Sequence, residues 1–397
     1  MTGSDSAHDR TRWVVLVMAA LGFAVNFWAW ALLSPLGPLY REELGLTSFQ
    51  QALLVAVPVI VGSVGRVAAG VLTDRFGGRI MFPAVSAATI VPVLYLGFSG
   101  QYSLTGLLVG GFFLGIGGSA FAVGVPTVNA WFPPERRGTA LGLFGIGMGG
   151  TAFSALTTVP LVTAAGKTAP FIVTAIVLAV YAVASYLLIR EAPGRTKPTG
   201  SAAHRLLAAA KLPITWQASG IYALSFGGYV AMSVYLPTYL KTSYELTQAD
   251  AANRMAGFVV LAVIARPLGG WLSDRVAPAR VLNTTLVAVV AAAVVQAFTP
   301  MLVPMGTAAF LVLAVALGAG SGATFALVAI MAPADQVGSV TGIVGAAGGL
   351  GGFVPPLIMG ALYGSYGSYG GGLALLAVAA AATVLVVRSL SRRPQVV

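Results

Sequence analysis

Residues 64–79 read VGRVAAGVLTDRFGGR, and 200 positions later residues 264–280 read IARPLGGWLSDRVAPAR. At that offset Arg66 matches Arg266, Gly70 matches Gly270, Leu72 matches Leu272, Asp74 matches Asp274 and Arg75 matches Arg275. A later stretch repeats in the same way. Pro133 matches Pro333, Glu135 matches Asp335, Gly138 matches Gly338, Gly142 matches Gly342, Gly145 matches Gly345, Gly149 matches Gly349 and Phe153 matches Phe353. Apolar residues and glycines coincide easily by chance. One offset shared by an arginine, an Asp-Arg pair and a glycine series points to a duplicated chain.

Composition says what was duplicated. Of the 397 residues, 57% are hydrophobic and 8% charged, and the mean hydropathy is +0.89. A soluble domain carries about 25% charged residues, so this chain cannot cover a water-facing surface. Disorder is excluded by the same apolar content. The net charge of +11 is scattered and forms no basic run, which argues against nucleic acid as a partner. An integral membrane protein remains. The chain has no cysteine and only His8 and His204. It therefore lacks the materials for a thiolate or histidine metal site or a histidine-based triad, and neither cofactor nor metal is expected. The polar start has no cleavable-signal design, so the apolar run from Trp13 reads as a first membrane helix.

A helix needs about 20 apolar residues to cross a bilayer. The sequence predicts twelve, near Trp13–Leu36, Gln50–Leu72, Ile80–Phe98, Leu104–Ala130, Thr139–Thr163, Ala169–Ile189, Trp216–Leu240, Ala252–Leu272, Val281–Phe298, Met305–Met331, Ser339–Leu362 and Gly370–Val387. The fold class is thus all-α integral membrane, with two pseudo-symmetric six-helix halves. The expected domains are residues 1–190 and 214–397, joined by a polar linker over 191–213. With the N-terminus in the cytoplasm, sixteen of the 22 Lys and Arg residues fall on the cytoplasmic side. Four, namely Arg41, Lys167, Lys241 and Arg254, fall outside. That bias predicts both termini and the linker inside, as in a multi-pass protein of a prokaryotic cytoplasmic membrane.

The two remaining cations are Arg66 and Arg266. Arg66 lies eight residues before Asp74, about 12 Å of helix, and so near mid-depth of a core about 30 Å thick. An arginine there costs about 2.5–3.5 kcal/mol on insertion scales. All eleven acids fall in loops, tails or helix ends, so none is deep enough to pair with either arginine. A removable anion is the reading that supplies a partner, since guanidinium binds planar oxyanions through a bidentate fork. The alternative is that each arginine snorkels or bonds helix carbonyls. Tyr222, Phe226 and Tyr229 share one helix face and would line the remainder, with Asn26 and Asn129 as further polar candidates. Gly142, Gly145 and Gly149, like Gly342, Gly345 and Gly349, each lie on one face. They serve either close static packing or a smooth surface that lets helices slide or a substrate reach backbone.

These stretches identify a resemblance. The segments VNFWAW (Val25–Trp30), GRVAAGVLTDRFGGR (Gly65–Arg79), FAVGVPTVNAWFPPERRGTALG (Phe121–Gly142), ARPLGGWLSDR (Ala265–Arg275) and GSVTGIVGAAGGLGGFVPP (Gly338–Pro356) resemble the nitrate/nitrite porters of the major facilitator superfamily, the NarK type. The likeness covers nearly the whole chain. It implies that Arg66 and Arg266 bind the anion, with Tyr222, Phe226 and Phe121 contacting it. One departure stands out. The fifth segment reads GIGMGGTA, with Met148 where many members of the family carry Asn.

The expected function is secondary transport of nitrate, nitrite or both by alternating access, with exchange of one for the other favoured. Nitrate–proton symport, or carriage of another small anion such as cyanate, formate or a small carboxylate, are the alternatives. A non-transporting membrane sensor is a further one, and an enzyme is disfavoured by the missing nucleophile–base constellation. Asp74 and Asp274 are expected to gate the cytoplasmic side. The expected partners are the anion and the lipid bilayer, with the chain acting as a monomer.

Overall fold

The computed structural model describes residues 3–193, 201–333 and 336–391. Arg195, Lys197, Asp335, Arg392 and Arg393 lie outside the described residues, as do the side chains of Glu135, Arg136 and Arg137.

Backbone polar groups in lipid must be satisfied within their own segment, and the chain answers with helix throughout. Among the described residues eleven rods are long and apolar enough to cross a membrane. They are α1 (Asp9–Leu44), α2 (Ser48–Phe76), α3 (Gly78–Phe98), α4 (Leu104–Trp131), α5 (Ala140–Ala165), α6 (Ala169–Leu188), α8 (Gln248–Arg275), α9 (Pro278–Ala297), α10 (Leu302–Met331), α11 (Val337–Tyr366) and α12 (Gly370–Leu390). Between α6 and α8 lies α7 (Pro213–Tyr244), a helix of 32 residues. Its Tyr, Ser, Thr and Gly residues dilute its hydropathy, which keeps it out of the eleven. A short helix, Ala202–Ala210, precedes it.

Several rods are not straight. α1 runs as Gly3–Trp30, turns at Ala31–Leu32 and resumes as Leu33–Leu44, well past the predicted end at Leu36. α4 tightens into a 3₁₀ turn over Gly115–Ser119, and α5 does so over Ile146–Gly149. The helical stretches Thr307–Met331 of α10 and Val337–Gly351 of α11 carry no such turn.

Local chemistry explains the ends. Thr47 accepts from Gln50 N at the start of α2, and Thr247, again 200 positions on, accepts from Asp250 N at the start of α8, each satisfying an orphan donor. The two turns that follow differ. Gly77 leaves α2 at φ +86°, a region open to glycine, and a Cβ there would collide with the Glu191 carboxylate. That carboxylate accepts from Arg79 N at 2.9 Å, at the start of α3. The corresponding turn uses extended Val276, with Pro278 opening α9.

The first six rods meet the last six mainly where α2 packs on α11, α5 on α8 and the Leu33–Leu44 part of α1 on α7. Polar bonds between the two groups gather toward the Leu44 end. Ser34 Oγ donates to Val234 O at 2.7 Å, Gln51 Nε2 to Thr238 Oγ1 at 3.0 Å and Gln248 Nε2 to Pro35 O at 2.7 Å. The largest buried cluster joins Phe23, Phe27 and Phe144 to Tyr222 and Tyr229. Val180, Val183 and Leu187 face outward and are 58–64% exposed, as a lipid-facing belt requires.

Candidate functional site

The two membrane arginines converge. Arg66, on α2, is 7% exposed, and its guanidinium carbon lies 5.4 Å from the ring centres of both Phe121 and Phe226. Arg266, on α8, approaches the same two rings, at 5.8 Å and 5.4 Å, and lies 6.0 Å from Phe325. Two cations, one from each end of the chain, therefore flank one pair of aromatic rings. Each cation–ring contact is worth about 0.5–2 kcal/mol. No carboxylate lies within ion-pair distance of either arginine among the described residues.

Their polar partners differ. Arg66 Nη1 donates to Gly345 O at 2.9 Å and Nε to Gly118 O at 3.5 Å. Arg266 Nη2 donates to Tyr222 Oη at 3.0 Å, and Nη1 points at Met148 Sδ, 2.6 Å away. Thus at Arg66 the carbonyl alternative drawn from the sequence is present, while Arg266 is held by side chains. Both 3₁₀ turns take part, because Gly118 belongs to one and Met148 to the other. A tight turn with poorer internal bonding leaves such groups free to face inward.

The α7 face behaves as its spacing predicts. Tyr222 stacks on Phe226 with ring centres 4.9 Å apart and planes 3° from parallel. Tyr229 continues the row, and its hydroxyl meets Thr151 Oγ1 of α5 at 3.2 Å. Arg66, Arg266, Tyr222, Phe226 and Phe121 are thus brought to one place. Asn26 is not, since its amide donates to Gly22 O and Ser86 Oγ within the first six rods. Asn129 sits at the Trp131 end of α4.

The glycine rows split. Around Gly145, Gly149, Gly342 and Gly345 nothing lies within 4 Å of where a Cβ would stand, and at Gly142 only Pro267 does, at 3.7 Å. Gly349 is crowded, its Cβ position lying 2.2 Å from Ser63 Oγ and 3.3 Å from Arg66 Nη1. Close helix packing uses the neighbouring glycines instead: Gly147 and Gly150 against α1, and Gly348 and Gly351 against α7. Asp74 lies 3.8 Å from Arg205 of the short helix. Asp274 is exposed, and Arg275 beside it stacks on Trp271 at 4.0 Å.

Phe325, Thr151, Ser63 and the Gly118 and Gly345 carbonyls are site groups that sequence reasoning missed. Phe325 had a signal. The 200-residue counterpart of Phe121 is Ser321, and Phe325 stands one helical turn beyond it.

Comparison with known proteins identifies the family. The family model described as Major Facilitator Superfamily matches residues 19–354 and 221–396. A bacterial homologue of the human lysosomal transporter Spinster, solved in an inward-facing and occupied conformation, superposes with a TM-score of 0.73 at 17% identity, covering 95% of each chain. Among named relatives, the probable nitrate/nitrite transporter NarK2 of Mycobacterium tuberculosis (strain ATCC 25618 / H37Rv) is 47% identical over 88% of each chain. The nitrite extrusion protein of Bacillus subtilis (strain 168) is 34% identical over 88% of this chain and 87% of its own. The probable nitrate transporter NarT of Staphylococcus carnosus (strain TM300) is 31% identical over 87% of both. A multi-pass membrane carrier of the major facilitator superfamily, not an enzyme, is the class that fold and matches define. Within it, the chain belongs to the nitrate/nitrite porter family.

Proposed function

We propose that this protein carries nitrate and nitrite across the membrane, one exchanged for the other, by alternating access. The observation that carries the reading is the convergence of Arg66 and Arg266 on Phe121 and Phe226 with no carboxylate partner among the described residues. The names of the relatives supply the substrate. An anion entering between the guanidiniums takes the place of the Gly345 carbonyl on Arg66 and of the Met148 sulfur on Arg266. Tyr222 holds the second guanidinium in position, and the rings keep water out. The open row Gly142, Gly145 and Gly149, with Gly342 and Gly345 opposite, leaves a smooth wall along the path.

The anion offsets the repulsion between a buried Arg66 and a half-buried Arg266, so the halves close fully around it. Closing without one would bury like charges at short range in a medium of low dielectric. That favours exchange over one-way movement. Proton coupling would call for a titratable group deep inside the membrane, and all eleven acids and both histidines fall in loops, tails or helix ends.

The complete arrangement in this reading has twelve crossings. Pseudo-symmetric halves over residues 1–190 and 214–397 rock about the site, and the 191–213 linker and both termini lie in the cytoplasm. The protein works as a monomer in the cytoplasmic membrane. Asp74, beside Arg205, and Asp274 serve as contacts of the cytoplasmic gate, while the bonds near Leu44 seal the outer side.

Purified protein in liposomes tests this directly. Labelled nitrate should enter vesicles preloaded with nitrite and should not enter empty ones. Uptake into empty vesicles driven by a pH gradient alone would overturn exchange in favour of symport. Uptake of formate or cyanate in preference to both would overturn the substrate.

A further inference from the structure

Arg66 and Arg266 are not the only cations that the 200-residue offset brings together. Arg41 on α1 and Lys241 on α7 are another such pair. They line one cleft of about 460 Å³, together with Glu42, Gln51 and Thr242, at the sealed end of the bundle. Their partners are unequal. Lys241 Nζ is bound to Glu42 Oε1 at 2.5 Å, so that charge is neutralised. Arg41 has no carboxylate partner among the described residues. Its Nη1 reaches only the Gln51 amide oxygen, at 3.4 Å. A guanidinium has five donors, of which Gln51 takes one, and Arg41 is among the residues that line the cleft.

Gln51 makes the link inward. It is 1% exposed, and its Nε2 donates to Thr238 Oγ1 at 3.0 Å, one of the bonds that tie the first six rods to the last six. Arg41, Gln51 and Thr238 thus form one chain from the cleft to the seal.

We propose that this cleft is a loading site for a small inorganic anion on the outer side, with Arg41 as its ligand. The Arg41–Gln51–Thr238 chain is the bar beneath it. An anion bound by Arg41 competes with the Gln51 oxygen for the guanidinium, loosens the grip of Gln51 on Thr238 and so favours opening of the outer seal. The cleft keeps one net positive charge after Glu42 cancels Lys241, which concentrates anions at the mouth. Because the site is wet, that attraction fades with salt over a Debye length of about 8–10 Å. The inference rests on the anion-exchange reading above and adds a second station to it.

Side-specific kinetics test it. Counterflow of labelled nitrate and nitrite would be measured in right-side-out and everted membrane vesicles, for the wild type, Arg41→Gln and Arg41→Lys. Arg41→Gln is expected to raise the outer KM about three- to tenfold, while the inner KM stays as in the wild type. Arg41→Lys should fall between the two, and added inert salt should shrink the difference between wild type and Arg41→Gln. An unchanged inner KM also certifies that the variant is folded. An unchanged outer KM, or equal shifts on both faces, would overturn the loading site while leaving exchange intact. A wild type that moves neither anion in either vesicle would overturn the exchange reading itself, and the loading site with it.

Discussion

Arg66 and Arg266 stand 200 residues apart in two similar stretches of sequence, yet the two are held differently. Arg66 is fixed by backbone: one carbonyl from α4, among the first six rods, and one from α11, among the last six. Arg266 is held by the Tyr222 hydroxyl and the Met148 sulfur. Carbonyls of packed helices move only with the helices that carry them, whereas side chains can turn. The first six rods also contain both 3₁₀ turns, and each supplies a group to an arginine, while α10 and the first part of α11 stay α-helical through the matching stretches. One pole of the site is therefore anchored to the frame, and the other is adjustable.

The largest effect should come from the arginines themselves. Arg66→Lys or Arg266→Lys keeps the charge and removes the planar fork. With charge-assisted bonds worth about 1.5–3 kcal/mol each, either change is expected to cut liposome transport by about 10²-fold or more while the protein still fractionates with membranes. Near-normal transport by either variant would break the two-pole site.

A smaller effect sharpens the contrast between halves. Gly349→Ala places a methyl 2.2 Å from Ser63 Oγ and 3.3 Å from Arg66 Nη1, while Gly149→Ala meets nothing within 4 Å. Overpacking costs about 1–3 kcal/mol, so initial exchange rates should fall about tenfold for Gly349→Ala and change less than about twofold for Gly149→Ala. Equal losses would mean that the two glycines do the same thing.

Met148→Asn should act least. It replaces a thioether at the adjustable pole by an amide that can donate to an anion. A hydrogen bond of about 1 kcal/mol would shift the ratio of nitrate to nitrite KM by about threefold to tenfold, leaving the maximal rate near that of the parent. An unaltered ratio would remove Met148 from anion selection.

Much of this was legible in the sequence because membranes simplify the problem. A long apolar run has few options other than helix, and a charge inside one needs a partner. So the spans, Arg66, Arg266 and the Tyr222–Phe226 face could be read directly. The segment predicted over Trp216–Leu240 is helical as Pro213–Tyr244, although five tyrosines lower its hydropathy and keep it out of the eleven. What could not be read depends on backbone detail. No local signal shows that Gly118 and Gly345 turn their carbonyls to Arg66, because every residue owns a carbonyl and only the packing angle selects one. Asn26 looked like a site residue by type, but its partners, Gly22 and Ser86, make it a tie between helices. The glycine rows left two readings open for a related reason. Gly147, Gly150, Gly348 and Gly351, interleaved with the named ones, do the close packing, and helical spacing alone cannot say which row faces a neighbour.

The shared rings Phe121 and Phe226 carry one more consequence. In the proposed site an anion held between the two guanidiniums and beside these rings would give up much of its water shell, and two guanidiniums and a phenol would return only part of that hydration. Anions that hold water loosely, such as nitrate and nitrite, lose little by entering. Sulfate and phosphate, which hold it tightly, lose far more. In the proposed site the aromatic walls would thus sort anions by hydration as well as by shape, and so reject oxyanions that the positive charge would otherwise attract.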